Sequence, residues 1–341
     1  MIFDDFADAF ILAGPTASGK SELGVEVAER LNAEIVSMDS MALFRGMDIG
    51  TAKPSPKLRN RVRHHLIDVL DPWESASVAW WLDQALRCGR EIESRGKRVL
   101  FVGGTPLYLK TLLRGLFDGP PRDPELRLRL NQEGERHGYQ VLHERLAEVD
   151  PVSACRLHAH DIRRVVRALE VWEITGRPIS AWQLQWKPSD EFRIEDRESK
   201  LKEDPGSSFE DGGLRIEDRE LDIASPSSIL HRCLWLDVHR EELYARINDR
   251  VRRMIAEGWL EEAARLRQLE RPLSREAAQA LGCQELFAYL DGQANLEETI
   301  ERIQIRSRHF AKRQISWFRH LPECRPVPRE LTFNLWGLTM K

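Results

Sequence analysis

The chain has 341 residues, a formal net charge of −4, 42% hydrophobic residues and 31% charged residues, which is typical of a globular protein with one large or two ordinary domains. No stretch is apolar over the length of a membrane span, and the acidic start does not resemble a secretory signal. The five cysteines are too scattered for a zinc site or a disulfide framework, so we expect a monomeric cytoplasmic protein that has no contact with a membrane.

The most informative motif lies near the N-terminus, at residues 14–21. It follows a short apolar run, Phe10-Ile11-Leu12-Ala13, which predicts a buried strand, and it precedes a predicted helix at residues 21–31. The motif fits the phosphate-loop pattern G-x-x-x-x-G-K-[ST] at every fixed position. Such a loop turns its backbone N–H groups toward a phosphate at a helix N-terminus. The pattern predicts binding of a diphosphate or triphosphate, and by itself it does not say which.

Further along the chain, strand-like and helix-like segments alternate. Residues 34–37, 98–104 and 234–238 read as strands, and residues 76–95 read as a helix. This alternation predicts an α/β fold, with helices covering a parallel sheet. Ligands of such sheets bind at the carboxyl ends of the strands. The phosphate loop, Asp39 and Thr105 each follow such an end, so we expect them to share one site.

The chain is expected to divide into five segments. The first part of the sheet core spans 1–120, and a helical subdomain follows Pro120-Pro121 and spans 121–187. Residues 188–228 are polar and contain a repeat, because Arg193–Glu198 recurs as Arg215–Glu220. Such a composition cannot bury enough apolar surface to order itself, which predicts a disordered insert. Residues 229–325 return to the core and are mostly helical, and 326–341 form a C-terminal tail.

Several polar residues have more than one possible role at this point. Asp39 could bind Mg²⁺, act as a general base or cap a helix, and Thr105 could satisfy the turn at Gly103-Gly104. Arg246 and Arg250 stand at i and i+4 on a predicted helix, where they could reach a phosphate or could pair with neighbouring acidic residues. Basic clusters elsewhere are typical of solvated helix faces when each is taken alone.

Longer motifs narrow these alternatives. The chain resembles the tRNA dimethylallyltransferases, also called tRNA isopentenyltransferases, over its whole length apart from the insert. The motifs that carry the resemblance are Gly14–Ser21, Met47–Pro54, His64–Asp68, Val102–Tyr108, Arg167–Val171 and Ala311–Arg319. Phe44 and Cys283 depart from the usual family pattern, and both departures could alter tRNA contacts.

The resemblance implies a P-loop NTPase-like parallel sheet core with an inserted helical subdomain. It also implies transfer of a dimethylallyl group from dimethylallyl diphosphate to N6 of the adenosine on the 3′ side of the anticodon in tRNA. The phosphate loop, Lys20 and an Mg²⁺ ion held at Ser21 would stabilise the departing diphosphate. Asp39 would act as general base, and Thr105 would hydrogen-bond near the same centre. The predicted catalytic residues are therefore Asp39, Thr105 and Lys20.

The resemblance further implies two sets of binding residues. The diphosphate contacts are Gly14, Pro15, Thr16, Ala17, Ser18, Gly19, Lys20 and Ser21. Arg246 and Arg250 could contact the diphosphate or the tRNA, or could pair with acidic neighbours instead. The contacts to the anticodon stem-loop are Asp39, Ser40, Met41, Ala42, Thr105, Arg127, Arg163, Arg164, Val165, Val166, Arg167, Gly282, Lys312, Arg313, Gln314, Trp317 and Arg319. The acceptor adenosine must leave its stack to reach such a site.

Two other functions share the phosphate loop. A small-molecule or nucleotide kinase would bind ATP there and transfer its terminal phosphate. The second alternative is a noncatalytic RNA-binding ATPase regulator. Neither function explains the string Met47–Pro54 or the arginine-rich helices. The sequence also lacks a clear apolar strand that ends in the aspartate expected of either alternative.

Overall fold

The computed structural model describes residues 5–6, 8–116, 119–183 and 232–338. The predicted insert at 188–228 lies outside these residues. The chain divides into two compact units, one comprising Met1–Leu113 with Leu221–Lys341 and the other comprising Arg114–Glu220. Within the described ranges, no helix is both long enough and apolar enough to cross a membrane.

The first unit is built on a six-stranded parallel sheet with strand order β3-β2-β4-β1-β5-β6. Its strands are β1 Phe10–Ala13, β2 Ala33–Ser37, β3 His64–His65, β4 Arg98–Gly103, β5 Cys233–Leu236 and β6 Arg325–Val327. The central strands are continuous apolar runs because helices cover both faces of the sheet. The predicted α/β fold with a P-loop-like sheet is confirmed.

Several helices begin at residues whose side chains can cap a helix N-terminus. Ser77 accepts a hydrogen bond from the Trp80 N–H at the start of one helix, and Asn295 accepts one from the Glu298 N–H at the start of another. In chain order the helices are α1 Lys20–Leu31, α2 Pro56–Arg61, α3 Val78–Ser94, α4 Pro106–Arg114, α5 Pro124–His137, α6 Tyr139–Val149, α7 Pro151–Arg156, α8 Ile162–Thr175, α9 Ile179–Trp182, α10 Arg240–Ala256, α11 Trp259–Arg267, α12 Cys283–Leu290, α13 Leu296–Arg319 and α14 Thr332–Leu335.

Two apolar layers enclose the sheet, one on each face. Phe101 of β4 points into the layer that contains Trp81 and Phe318. Its neighbour Leu100 points into the opposite layer, which contains Leu23 of α1. This alternation follows from the two-residue period of a strand, and it anchors the carboxyl ends of the strands between helices.

The two edge strands, β3 and β6, were not predicted from the sequence, and residues 326–341 were predicted to form a tail. In the structure, Leu234 and Leu236 of β5 are in register with Arg325 and Val327 of β6. Trp336 then packs against the same layer as α1. Strands of two or three residues carry too little periodicity to be recognised, so only the tertiary pairing reveals them.

The second unit contains α5 to α9. Leu130, Leu142, Leu146 and Leu169 are fully buried at its centre. The buried carboxylate of Glu170 accepts a hydrogen bond from the Asp123 backbone N–H at 2.8 Å. A fully buried carboxylate is costly unless it is paired, so the partners of Glu170 are part of this core.

Candidate active site

The phosphate loop adopts the conformation that its glycines allow. Gly19 has φ 84° and immediately precedes α1, and Ala17 also has a positive φ of 62°. A side chain on Gly14 would contact Ser18 Oγ at 2.8 Å and Leu236 at 3.3 Å. The loop therefore wraps tightly around the N-terminus of α1, where backbone N–H groups and the helix dipole favour an anion.

The loops that follow β2 and β4 are joined to each other beside this turn. Backbone hydrogen bonds connect the Met38 N–H to the Val102 carbonyl at 2.8 Å and the Thr105 N–H to the Met38 carbonyl at 3.1 Å. Gly103 has no space for a side chain, because a Cβ atom there would lie 2.4 Å from the Met38 backbone. The close approach brings Asp39 and Thr105 to the same edge of the sheet.

Side-chain hydrogen bonds then fix the orientation of Asp39 and Thr105. Asp39 Oδ1 accepts the Met41 N–H at 2.9 Å, which stabilises the loop, and it does not cap a helix. Thr105 Oγ1 accepts the Ser40 N–H at 3.0 Å. The Thr105 hydroxyl thus joins two loops, and it does so without contributing to the Gly103-Gly104 turn that was considered as its other role.

Gln314 of α13 connects the phosphate loop to the loop after β4. Its Oε1 accepts the Thr16 N–H at 2.9 Å, and its Nε2 donates to the Gly104 carbonyl at 2.6 Å. The side chain is buried, and both ends of its amide are occupied. Gln314 is therefore an internal link between two loops, and its predicted contact with tRNA stays a prediction.

These loops line one large cavity within the first unit. Its volume is about 1390 Å³, and its walls include Lys20, Ser21, Asp39, Thr105 and Arg250. The structure thus brings the three predicted catalytic residues together, along with Ser40, Met41, Ala42, Arg246 and Arg313 from the other predicted sets. Further lining residues that the sequence analysis did not single out are Arg253, Phe310 and Arg329.

The charges around the phosphate loop are mostly positive. Burial lowers the pKa of Lys20 from 10.5 to about 8, with Arg250 adding to the effect and the carboxylate of Asp39 opposing it. Burial likewise lowers the pKa of Arg250, whose Nη1 lies 3.3 Å from Thr16 Oγ1. Arg246 instead forms an exposed ion pair with Glu242 at 2.6 Å. Of the two arginines, only Arg250 contacts the phosphate loop.

The motif Met47–Pro54 forms a loop that is organised by two buried charged residues. Glu262 of α11 accepts the backbone N–H groups of Asp48, Ile49 and Gly50 at 2.7, 2.8 and 2.9 Å. Lys53 is almost fully buried and donates to Asp48 at 2.7 Å. Sequence reasoning missed Glu262, because a single glutamate on a helix looks like any other surface residue until the loop that it holds is known.

Several predicted tRNA contacts are buried. Val165 and Val166 pack in the core of the second unit, and Ala42 is 3% exposed. Gly282 lies beneath Trp259, because a Cβ atom there would be 2.3 Å from the indole ring. These four residues expose little or no side-chain surface in this structure, and their predicted contacts with tRNA stay predictions.

Two of the predicted tRNA contacts, Arg127 and Arg167, form ion pairs with Glu170 in the second unit. Arg127 Nη2 and Arg167 Nη1 both donate to its Oε2, the first at 2.8 Å and the second at 2.5 Å. These hydrogen bonds lower the pKa of Glu170, although its burial acts in the opposite direction. Both arginines therefore neutralise a buried carboxylate, and contact with tRNA would be an additional role.

The remaining predicted contacts face solvent. Arg163 and Arg164 are exposed on α8, and Arg164 forms an ion pair with Asp161 at 3.1 Å. On α13, Lys312, Arg313 and Arg319 are exposed. Trp317 on the same helix is 36% exposed, and the ammonium of Lys110 lies 5.8 Å from its ring centroid. These side chains are available for a partner.

The two departures from the family pattern are both internal. Phe44 is fully buried and Cys283 is 4% exposed, and both belong to the main apolar layer of the first unit. Burial raises the pKa of the Cys283 thiol to about 12. Both side chains belong to the core, so any effect of these departures on tRNA contacts would act through packing.

The donor set of the cavity suits a metal ion that arrives with a phosphate substrate. Among the described residues, no group of three or more His, Cys, Asp or Glu side chains could hold a metal. Mg²⁺ often binds through one or two protein ligands together with phosphate oxygens and water. The Ser21 hydroxyl at the start of α1 can be such a ligand.

The parallel sheet, the loop after β1 and the cavity above it define an α/β protein of the phosphate-loop class. Within this class, a model of the family described as IPP transferase matches residues 42–321. The chain belongs to this family.

Relatives of known name agree along most of the chain. A tRNA dimethylallyltransferase from Geobacter sulfurreducens is 42% identical over 324 residues, which are 95% of this chain and 93% of the relative. One from Thermotoga neapolitana is 39% identical over 309 residues, which are 91% of this chain and 88% of the relative.

Solved structures show the same similarity. The tRNA isopentenylpyrophosphate transferase from Bacillus halodurans has a TM-score of 0.61 at 34% identity, covering 94% of this chain and 90% of its own. A eukaryotic dimethylallyltransferase acting on tRNA has a TM-score of 0.67 at 25% identity, covering 94% of this chain and 74% of its own.

Proposed function

We propose that this chain is an enzyme that transfers a dimethylallyl group from dimethylallyl diphosphate to N6 of the adenosine on the 3′ side of the anticodon in tRNA. The products are N6-dimethylallyladenosine and diphosphate. The observation that carries the proposal is the convergence of Lys20, Asp39 and Thr105 from three strand ends on one cavity. Family membership supplies the class of reaction.

The phosphate loop binds the diphosphate of the donor. As the bond between the allylic carbon and oxygen breaks, the carbon gains cationic character and negative charge grows on the leaving oxygens. Lys20 and Arg250 stand beside the N-terminus of α1, where that charge develops. Mg²⁺, if carried in with the donor and held at Ser21, would supply further positive charge at the phosphates.

Asp39 binds and deprotonates the acceptor amine. The adenine N6 is a weak nucleophile, because its lone pair is delocalised into the ring. The hydrogen bond from the Met41 N–H to Asp39 Oδ1 fixes the carboxylate, and we assign Oδ2 to accept the proton from N6. Thr105, on the adjacent loop, orients the same amine through its hydroxyl.

The acceptor reaches the cavity as a flipped base, and solvent-facing cations bind the surrounding backbone. Arg163, Arg164, Lys312, Arg313 and Arg319 are the candidates for phosphate contacts, and Trp317 is the candidate for stacking. We further propose that the enzyme works as a monomer in the cytoplasm and that Mg²⁺ is its metal.

The direct test is transfer of radiolabel from dimethylallyl diphosphate to bulk tRNA, followed by nucleoside analysis. We expect N6-dimethylallyladenosine, a requirement for Mg²⁺ and no requirement for ATP. ATP hydrolysis at enzyme-like rates, or transfer that needs ATP, would contradict this function and favour the kinase alternative.

The assignment of the base is tested by Asp39→Asn. We expect unchanged tRNA affinity and a single-turnover rate lower by about 10² to 10⁴, because a positioned general base typically contributes that much. Asp83→Asn is a suitable control, since Asp83 is exposed on α3 and is not among the residues that line the cavity. A single-turnover rate for Asp39→Asn within threefold of the parent enzyme would remove Asp39 from the mechanism.

A further inference from the structure

Arg329 follows the edge strand β6 and reaches the phosphate loop from outside the predicted site. The Asp237 N–H donates to the Val327 carbonyl at 3.0 Å, which continues the pairing of β5 with β6 to the carboxyl end of the sheet. Arg329 therefore lies near the carboxyl edge of the sheet, where the phosphate loop after β1 also lies. From the sequence, this segment was predicted to belong to the C-terminal tail, 326–341.

The guanidinium of Arg329 lies against the glycine that precedes α1. A Cβ atom on Gly19 would lie 2.9 Å from Arg329 Nη1, so the guanidinium packs directly on this glycine. Arg329 also lines the cavity that Lys20 and Ser21 line. Its ion pair with Glu26 is long, at 3.4 Å, and both side chains are about 40% exposed. Such a pair contributes little and does not hold the guanidinium firmly.

Lys20, Arg250 and Arg329 all line the cavity, so positive charge is concentrated there. The N-terminus of α1 carries a partial positive charge, and Lys20 and Arg250 already stand beside it. A third cation gains from this location when an anion lies among the charges. Arginine suits a diphosphate, because its planar guanidinium can form two parallel hydrogen bonds to phosphate oxygens.

We propose that Arg329 is a diphosphate-binding residue that contacts the donor, and then the departing diphosphate, beside Gly19 at the start of α1. This inference rests on the proposed function of the cavity. It assigns part of the diphosphate site to a segment that follows the last strand of the sheet.

The test measures binding of inorganic pyrophosphate to the full chain by calorimetry in the presence of Mg²⁺. We expect Arg329→Gln to raise the Kd about tenfold, the loss typical of one charge-assisted hydrogen bond. Arg329→Lys should fall between the two, because it keeps the charge without the second hydrogen bond. The matched control is Arg325→Gln, an exposed arginine on the same segment, which should remain within twofold of the parent protein.

Three further readouts separate the proposal from other roles. Thermal unfolding and tRNA affinity of Arg329→Gln should be unchanged, and Glu26→Gln should keep or improve pyrophosphate binding. If Arg329→Gln binds pyrophosphate within twofold of the parent, or weakens tRNA binding instead, the proposal is wrong. Lys20→Ala tests the cavity itself, because unchanged pyrophosphate binding in that variant would contradict the proposed function and not Arg329 alone.

Discussion

At the scale of single residues, the site depends on a lysine whose charge is easily lost. The Lys20 ammonium donates to the Pro15 carbonyl at 3.1 Å and lies beside Arg250. Burial and a neighbouring cation both disfavour the charged form of a lysine, so its pKa falls. An anionic ligand reverses this effect, because it favours the protonated form. The affinity of the donor site should therefore depend on pH.

The expected pH dependence follows from the pKa of about 8 for Lys20 in the free protein. Lys20 is protonated well below this pH and loses its charge as the pH rises through it. The Kd for a dimethylallyl thiolodiphosphate analogue should be constant below pH 8 and should rise about tenfold per pH unit above it. The terminal phosphate ionises near pH 6, about two units lower, and does not interfere. Lys20→Arg, which stays charged throughout, is the control, and a constant Kd from pH 7 to pH 9.5 in the parent protein would contradict the prediction.

At the scale of secondary-structure elements, α13 organises the site from behind. Its Ala311 and Phe318 are buried in apolar clusters of the first unit, and Gln314 lies between them. The buried amide of Gln314 spans the phosphate loop and the loop after β4. The helix therefore links the phosphate loop to the loop after β4 through one side chain.

This coupling predicts the effect of Gln314→Glu. The carboxylate can still accept the Thr16 N–H, but it cannot donate to the Gly104 carbonyl and is repelled by it. We expect kcat/KM to fall at least about tenfold, because an unsatisfied buried group costs roughly 1–3 kcal/mol. The control is Gln304→Glu on the same helix, where Gln304 Nε2 donates to the Asn248 carbonyl at 3.1 Å, away from the two loops. A lowered Tm with unchanged kcat and KM would limit Gln314 to a structural role.

At the scale of the whole molecule, the net charge of −4 conceals two kinds of arginine. One kind neutralises buried acidic groups, as Arg127 and Arg167 do for Glu170. The other kind faces solvent, as Arg163 does on α8. Only the second kind is free of a structural obligation, so local exposure, and not net charge, decides which residues can hold a polynucleotide backbone.

This distinction predicts different outcomes for two neighbouring arginines. Arg163→Gln should weaken tRNA binding and reduce the slope of log K against log salt by about one unit or less, with an unchanged Tm. Arg167→Gln should mainly lower the Tm, because it leaves part of the charge on Glu170 uncompensated. Salt titrations and thermal unfolding of both variants decide the matter, and an unchanged slope for Arg163→Gln would exclude it from phosphate contact.

The polar segment 188–228 gives a further prediction for the whole chain. Its composition does not support a core of its own, so replacing it with a short Gly-Ser linker should leave the Tm and the turnover nearly unchanged. Thermal unfolding and steady-state transfer by the shortened chain measure both quantities. A large fall in either would show that the segment packs on the enzyme or binds a substrate.

The sequence by itself determined the class of fold and the centre of the site. Gly14–Ser21, Asp39 and Thr105 were predictable because glycine conformation, strand periodicity and the convergence of parallel strand ends are local rules. Phe10–Ala13 and Arg98–Gly103 were recognisable as strands for the same reason, since each is a continuous apolar run.

Only the tertiary structure decided which polar residues belong to the site and which support it. Glu262 and Arg329 have no local signature, and the motif that contains Gln314 does not reveal its role, because the partners of all three lie more than 200 residues away in the sequence. Val165 and Val166 stand beside the exposed Arg163 and Arg164 but face a core, since a helix turns neighbouring residues in different directions. Burial and long-range hydrogen bonding depend on how the chain closes on itself, and no pattern of adjacent residues contains that information.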